Sequence, residues 1–127
     1  MSHRSRLAAA YIDVPREDYP AAVSFWAHAL ERPGEVEADD PDYTSFGPAT
    51  PGVTMGVQAV GDPAPRIHLD IETDDIEAEV TRLTALGGSV VDRIQDWVVM
   101  ADPAGVVFCV IKVQEPAAFE AGARTWG

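Results

Sequence analysis

Apolar residues recur along this chain in two rhythms that follow one another twice. Over residues 7–14 they alternate singly: Ala8, Ala10, Ile12 and Val14 share one side of an extended segment, and Ala9, Tyr11 and Asp13 share the other. Pro15 ends that strand. From Asp18 the rhythm changes. Ala22, Val23, Trp26, Ala29 and Leu30 recur at helical spacing, with Pro20 in the first turn and Pro33-Gly34 as the stop. Turn signals at Asp39-Asp40-Pro41-Asp42, Gly47-Pro48 and Pro51-Gly52 then divide the next stretch into short strands at 35–37, 43–46 and 53–58. Gly61-Asp62-Pro63-Ala64-Pro65 is stiff enough to join two halves.

Single alternation returns at 66–71, where Ile67, Leu69 and Ile71 point one way and His68 and Asp70 the other. Asp74 is the predicted helix N-cap, and Glu77, three residues on, completes a capping box. Ile76, Val80, Leu83 and Leu86 mark the buried stripe, and Gly87-Gly88 supplies a left-handed stop. Strands at 89–91, 97–101 and 106–113 follow, the last two joined by the turn Asp102-Pro103-Ala104-Gly105. Each half therefore reads strand, helix, strand, strand, strand. The shift from Tyr11 to His68 also carries Asp13 onto Asp70 and Asp18 onto Asp75, so the halves are an internal repeat.

This pattern predicts an α+β fold. Two tandem βαβββ modules, residues 7–60 and 66–113, form an eight-stranded curved sheet around a polar cup, with helices outside, in a single domain spanning 1–127. Residues 1–6 read as a loose end. Residues 114–127 read as an extension that either adds a helical turn around 117–121 or dangles, and its Phe119 and Trp126 call for cover from this domain or a second subunit.

Composition narrows the partners more than the fold. With 46% hydrophobic and 24% charged residues the chain is globular. Nine Lys+Arg against 21 Asp+Glu give a formal net charge of −12, which repels phosphate backbones and anionic lipid and argues against nucleic acid and membrane as partners. One cysteine excludes an internal disulfide and points to a reducing cytoplasm. No apolar run approaches the ~20 residues of a spanning helix, and the short run after Arg6 is too brief for a signal peptide.

The words Asp13-Val14-Pro15, Phe25-Trp26, His68-Leu69-Asp70-Ile71, Leu83-Thr84-Ala85-Leu86-Gly87-Gly88, Asp102-Pro103-Ala104-Gly105 and Phe108-Cys109-Val110 resemble the vicinal oxygen chelate superfamily over residues 7–113. That superfamily includes glyoxalase I, bleomycin-resistance proteins and extradiol dioxygenases; the nearest look-alikes are small actinobacterial glyoxalase-like domains. The resemblance implies a divalent metal held in the cup by His, Glu or Gln from the first, fourth, fifth and eighth strands. It also implies a homodimer. Carried over residue by residue, the four ligand positions fall on Tyr11, Gly56, His68 and Cys109, with Gln58 as an alternative on the fourth strand. Hard cations prefer carboxylate oxygens, and stable zinc sites take three or four good ligands. The degenerate set therefore predicts no bound metal and no cofactor.

The candidate ligand-binding residues are Tyr11, Asp13, Phe46, Gln58, His68, Trp97 and Cys109. His68 is read either as a cup-wall histidine or as a base, with Asp70 as its carboxylate neighbour. Cys109 is read as a small buried hydrophobe. Trp97, Val99 and Met100 are core or cup wall, which periodicity does not decide. His3 and His28 are set aside as a terminal and an exposed residue. The expected function is capture of a small organic molecule, a cationic aromatic compound among the options, without the metal. The alternative is a metal-dependent lyase, isomerase or dioxygenase using His68.

Overall fold

The computed structural model describes residues 2–61 and 65–127; Asp62, Pro63 and Ala64 of the expected joint lie outside the described residues. The fold is α+β, with nine strands and three α-helices among the described residues. The chain divides into two compact units. One spans 9–68; the other combines the segment ending at Ala8 with residues 69–127.

In the 9–68 unit, β1 (His3–Pro15) contributes its C-terminal part. A 3-10 turn follows, then α1 (Tyr19–Ala29), β2 (Glu35–Glu37), β3 (Asp40–Thr50) and β4 (Val53–Val60). The strand order is β2-β3-β4-β1, with β4 parallel to β1 and the other pairs antiparallel. Register decides the faces. Ile12 lies opposite Val57, which lies opposite Thr44, and this side meets the helix. Val14, Phe46 and Val57 form the core there, packed by Ile12, Tyr19, Ala22, Val23 and Trp26. The buried Thr44 hydroxyl on that side is hydrogen-bonded to the Tyr19 hydroxyl. The Ile12–Val14 side of β1 therefore meets the Ala22, Val23 and Trp26 part of the α1 stripe, while Ala29 and Leu30, expected on that stripe at the end of the helix, are exposed.

The second unit repeats the plan with β5 (Arg66–Thr73, from Leu69 onward), α2 (Ile76–Ala85), β6 (Ser89–Ile94), β7 (Trp97–Ala101) and β8 (Val107–Lys112). β8 runs parallel to β5, and β7 and β6 follow antiparallel. Val80, Val98, Met100 and Val110 make its core, with Ile76, Leu83 and Phe108 against them. Met100 is thus core, and Trp97 and Val99 take the opposite face. Gly87, at φ 107°, ends α2 in the left-handed conformation, as its position predicts.

Three expectations at the element ends are corrected. The N-cap of α2 is Asp75, whose carboxylate accepts the Ala78 N–H at 3.0 Å; Asp74 is instead engaged by the Arg4 N–H at 2.7 Å and the Arg4 guanidinium at 3.1 Å. Residues 3–6 are no loose end but the start of β1. The His3 Nε2 lies 2.8 Å from the Glu79 carboxylate, and both side chains are buried. The extension folds as α3 (Pro116–Gly122) and β9 (Arg124–Trp126), which pairs antiparallel with His3–Ser5 of β1. Phe119 is buried beneath the Arg4 guanidinium. Trp126 donates its indole N–H to Ser5 and lies 3.9 Å beneath the Arg82 guanidinium. The cover that both aromatics required comes from their own unit.

Glu79 is the pin of this terminal clasp. Burial pushes its carboxyl up, but hydrogen bonds from Arg82, His3 and Ser5 outweigh burial and hold it at about 2. A carboxylate with a depressed folded pKa stabilises the fold above its unfolded value of 4.5, and that contribution fades as pH falls towards 2. Urea unfolding followed from pH 6 to pH 2.5 is expected to show this decline in the wild type and a shallower one in Glu79→Gln. At neutral pH, Glu79→Gln is expected to cost roughly 3 kcal/mol, because Arg82 and His3 lose their shared anion.

Candidate functional site

The face of the 9–68 unit turned away from α1 carries the chemistry. Tyr11 lies opposite Gly56, which lies opposite Ser45; Asp13 lies opposite Gln58, which lies opposite Tyr43. Strand alternation puts all of these side chains on one side. His68, at the end of this unit, joins them: its ring plane lies within 21° of the Tyr11 ring, with centroids 6.5 Å apart. Tyr43 meets Tyr11 edge-on at 4.8 Å. The geometry is the edge-to-face arrangement that the quadrupoles of two phenol rings favour.

Asp13 is 1% exposed. Its Oδ2 stands 3.5 Å from both the Arg66 Nε and the His68 Nδ1. A carboxylate so buried needs nearby cations or donors, and β5 supplies two of them two residues apart. Within the 9–68 unit this carboxylate stands beside His68.

Gly56 explains how the Tyr11 ring is seated. A Cβ at residue 56 would meet the Thr44 carbonyl oxygen at 2.5 Å and two carbons of the Tyr11 ring at 3.2 and 3.3 Å. The fourth-strand position therefore carries no side chain because the phenol ring and the backbone of β3 take the space. The register also confirms Gly56, not Gln58, as the residue beside Tyr11.

Not every expected residue belongs to this face. Phe46 does not: it has the opposite strand parity to Tyr43 and is 4% exposed in the core beneath α1. The aromatic partner on the site face is Tyr43. Cys109, Asp70 and Trp97 belong to the other unit. There Asp70 and Val99 are the register partners of Cys109 on its two sides, and Cys109 is a buried free thiol, as expected of a small hydrophobe. His28 is exposed on α1, where its Nδ1 contacts the Ser24 carbonyl oxygen. Arg66 and Tyr43 are the residues that sequence reasoning missed, although alternation within β5 already placed Arg66 on the His68 face.

The donors at the superfamily's metal-ligand positions are a phenol at Tyr11, no side chain at Gly56, an imidazole at His68 and, in the other unit, the Cys109 thiol. Gly56 has no room for a donor. This set does not fit a hard divalent cation, which calls for several carboxylate or carbonyl oxygens.

Two units of the same βαβββ order, each with its helix on one face of the strands, define the vicinal oxygen chelate superfamily. The glyoxalase-like domain model matches residues 9–111, and the chain belongs to that family. No curated protein sequence matches the chain. Among solved structures, Streptomyces coelicolor methylmalonyl-CoA epimerase is 15% identical with a TM-score of 0.57, covering 87% of this chain and 98% of that one. The Mycobacterium tuberculosis methylmalonyl-CoA epimerase is 18% identical with a TM-score of 0.54, covering 88% and 90%. A Legionella pneumophila structure described as an NAD-dependent benzaldehyde dehydrogenase is 11% identical with a TM-score of 0.58, covering 83% and 99%. At these identities the likeness is one of fold. No helix among the described residues is long and apolar enough to cross a membrane.

The seating of Tyr11 over Gly56 has a measurable consequence. Gly56→Ala is expected to destabilise the protein by about 2 kcal/mol through overpacking. Tyr11→Ala in the same chain is expected to restore little of it, because the closer obstacle is the Thr44 carbonyl oxygen. Chemical denaturation of the wild type, the Gly56→Ala variant and the double variant checks both statements.

Proposed function

We propose that this chain binds a small organic molecule on the Tyr11–Tyr43–His68 face of the 9–68 unit, without the divalent metal of its superfamily. The carrying observation is the Tyr11 ring packed against Gly56, which puts an aromatic surface where a metal-binding relative needs donors. An apolar ring surface beside a few placed polar groups, here Asp13, Gln58, Arg66 and His68, suits a small-molecule site. Charge supports the same class of partner, since a chain of net charge −12 repels polyanions.

Calorimetry with a panel of small organic compounds, together with elemental analysis of the purified protein, tests this reading. The expected result is saturable binding that weakens about tenfold or more in Tyr11→Ala, since aromatic residues dominate contact energetics. The melting temperature is expected to be indifferent to added Ni²⁺, Mn²⁺ and Zn²⁺. One equivalent of metal retained through His68 would sink it.

A second reading is favoured by one observation, the Asp13 carboxylate 3.5 Å from the His68 Nδ1. A histidine oriented by a buried carboxylate suits proton transfer, and two fold neighbours are epimerases. On this reading His68 is a base and Asp13 positions it. Solvent deuterium incorporated into a carbonyl compound by the wild type, and lost in both His68→Gln and Asp13→Asn, would favour catalysis over capture.

A further inference from the structure

We propose that the small molecule bound on this face carries a carboxylate, and that Arg66 is the residue that holds it. The proposal rests on the small-molecule reading above and names the ligand class.

The face carries few charges. Of the residues that strand parity and register place on it, Tyr11, Tyr43, Ser45 and Gln58 are uncharged. Asp13 and Arg66 carry charge, and His68 gains one when protonated. Asp42, the residue before Tyr43, has the opposite parity and is held by Arg16.

Depth separates the two charges. The Asp13 side chain is 2% exposed and the Arg66 side chain 34%. An ion pair with its anion buried and its cation partly exposed presents its positive end to whatever reaches the face. The acidic composition suggested a cationic compound, but on the face itself such a compound meets the guanidinium first. A carboxylate meets a planar donor fork that matches its two oxygens.

Arg66 also differs from the arginines that pin the other unit. Arg6 lies 2.6 Å from Glu72 with a side chain only 7% exposed, and Arg82 closes on Glu79 at 2.7 and 2.9 Å. Those are the lengths of charge-assisted hydrogen bonds. Arg66 meets Asp13 through Nε at 3.5 Å, and the same Asp13 oxygen stands 3.5 Å from the His68 Nδ1. A guanidinium has five N–H donors, so contact at Nε leaves it the capacity to take a second oxyanion. Arg66 lies two residues before His68 on the same side of β5, roughly 7 Å along the strand. A ligand held there by its acid has the His68 and Tyr11 rings within reach of its body.

The net charge of −12 does not exclude such a ligand. Long-range repulsion is screened beyond about 8 Å at physiological salt, so a single acid group on the face is governed by the nearest charges.

Matched pairs of a carboxylate and its primary amide isolate the charge: phenylacetate with phenylacetamide, and hexanoate with hexanamide. Calorimetry at neutral pH is expected to show each acid binding about tenfold tighter than its amide, a difference within the range of a hydrogen bond to a charged group. Arg66→Gln is expected to abolish the preference. Arg66→Lys keeps a cation beside Asp13 and so guards against a folding defect; without the fork it is expected to retain only part of the preference. Side-chain NMR is expected to show the Arg66 Nε–H resonance shifting with the acids and not with the amides. Equal affinity for acid and amide would overturn the proposal, as would shifts centred on Arg16 or Arg32, or an acid preference that survives unchanged in Arg66→Gln. If uncharged molecules bind this face and none of the acids does, the carboxylate class is wrong and the capture reading stands. If a broad panel finds no binding at all, both fall together.

Discussion

Three buried carboxylates among the described residues constrain how this chain can fold. Asp13, Glu72 and Glu79 are all at or below 1% exposure in a protein whose Asp and Glu outnumber its Lys and Arg by 21 to 9. A buried carboxylate is tolerated only when cations or donors surround it. Each of the three has an arginine: Arg66 near Asp13, Arg6 at 2.6 Å from Glu72, and Arg82 in a two-point contact with Glu79. A third of the nine basic residues is committed in this way. The Glu72 pair also accepts the Gln114 N–H, where the chain leaves β8 for α3. The Glu79 cluster holds both terminal segments, through His3 from β1 and through Arg82, whose guanidinium lies over the Trp126 ring. The ionic arrangement therefore decides which ends are ordered, while the apolar cores decide which faces meet the helices.

That division explains what was legible in the sequence. Apolar periodicity carried the two βαβββ repeats, the sidedness of β1, the α2 stripe as far as Leu83 and its glycine stop; Ile67 at the start of β5 and Leu86 at the end of the stripe are exposed. The features it carried depend on burial against a helix, and burial leaves a period of two or of about 3.6. The ends were not legible for the converse reason. His3, Arg4 and Arg6 look like a solvated tail until their partners are known, and those partners are 66 to 116 residues away. Long-range ion pairs leave no local pattern. The capping residue shows the same limit on a smaller scale: Asp74 and Asp75 are equally good caps by type, and Arg4 decides between them by engaging the first.

On the candidate face, legibility broke down over one question of parity. Phe46 and Tyr43 are both aromatic and lie three residues apart on β3, so they face opposite sides of it. Aromatic character alone favoured Phe46. The register with β4 puts Tyr43 level with Gln58 and Asp13, and leaves Phe46 for the core with Val57 and Trp26. Gly56 does lie opposite Tyr11, but its meaning was only half visible. In the sequence a glycine there is a missing donor. In the structure it is the residue whose lack of a Cβ admits the Tyr11 ring, so the loss of a ligand and the gain of an aromatic surface are one event.

The two units also show how a repeat diverges while keeping its frame. The shift that carries Tyr11 onto His68 carries Asp13 onto Asp70, yet these two carboxylates meet different surroundings. Asp13 faces Gln58 across a parallel pair and stands beside an arginine; Asp70 faces Cys109 across the equivalent parallel pair. The backbone order is the same in both units, so the difference is entirely one of side chains. A frame that accepts the Gln58 amide opposite Asp13 in one unit and the Cys109 thiol opposite Asp70 in the other leaves that neighbour of the carboxylate able to vary. The chemistry offered beside the carboxylate therefore differs between the units on one shared backbone order, which is why the frame alone does not carry a function.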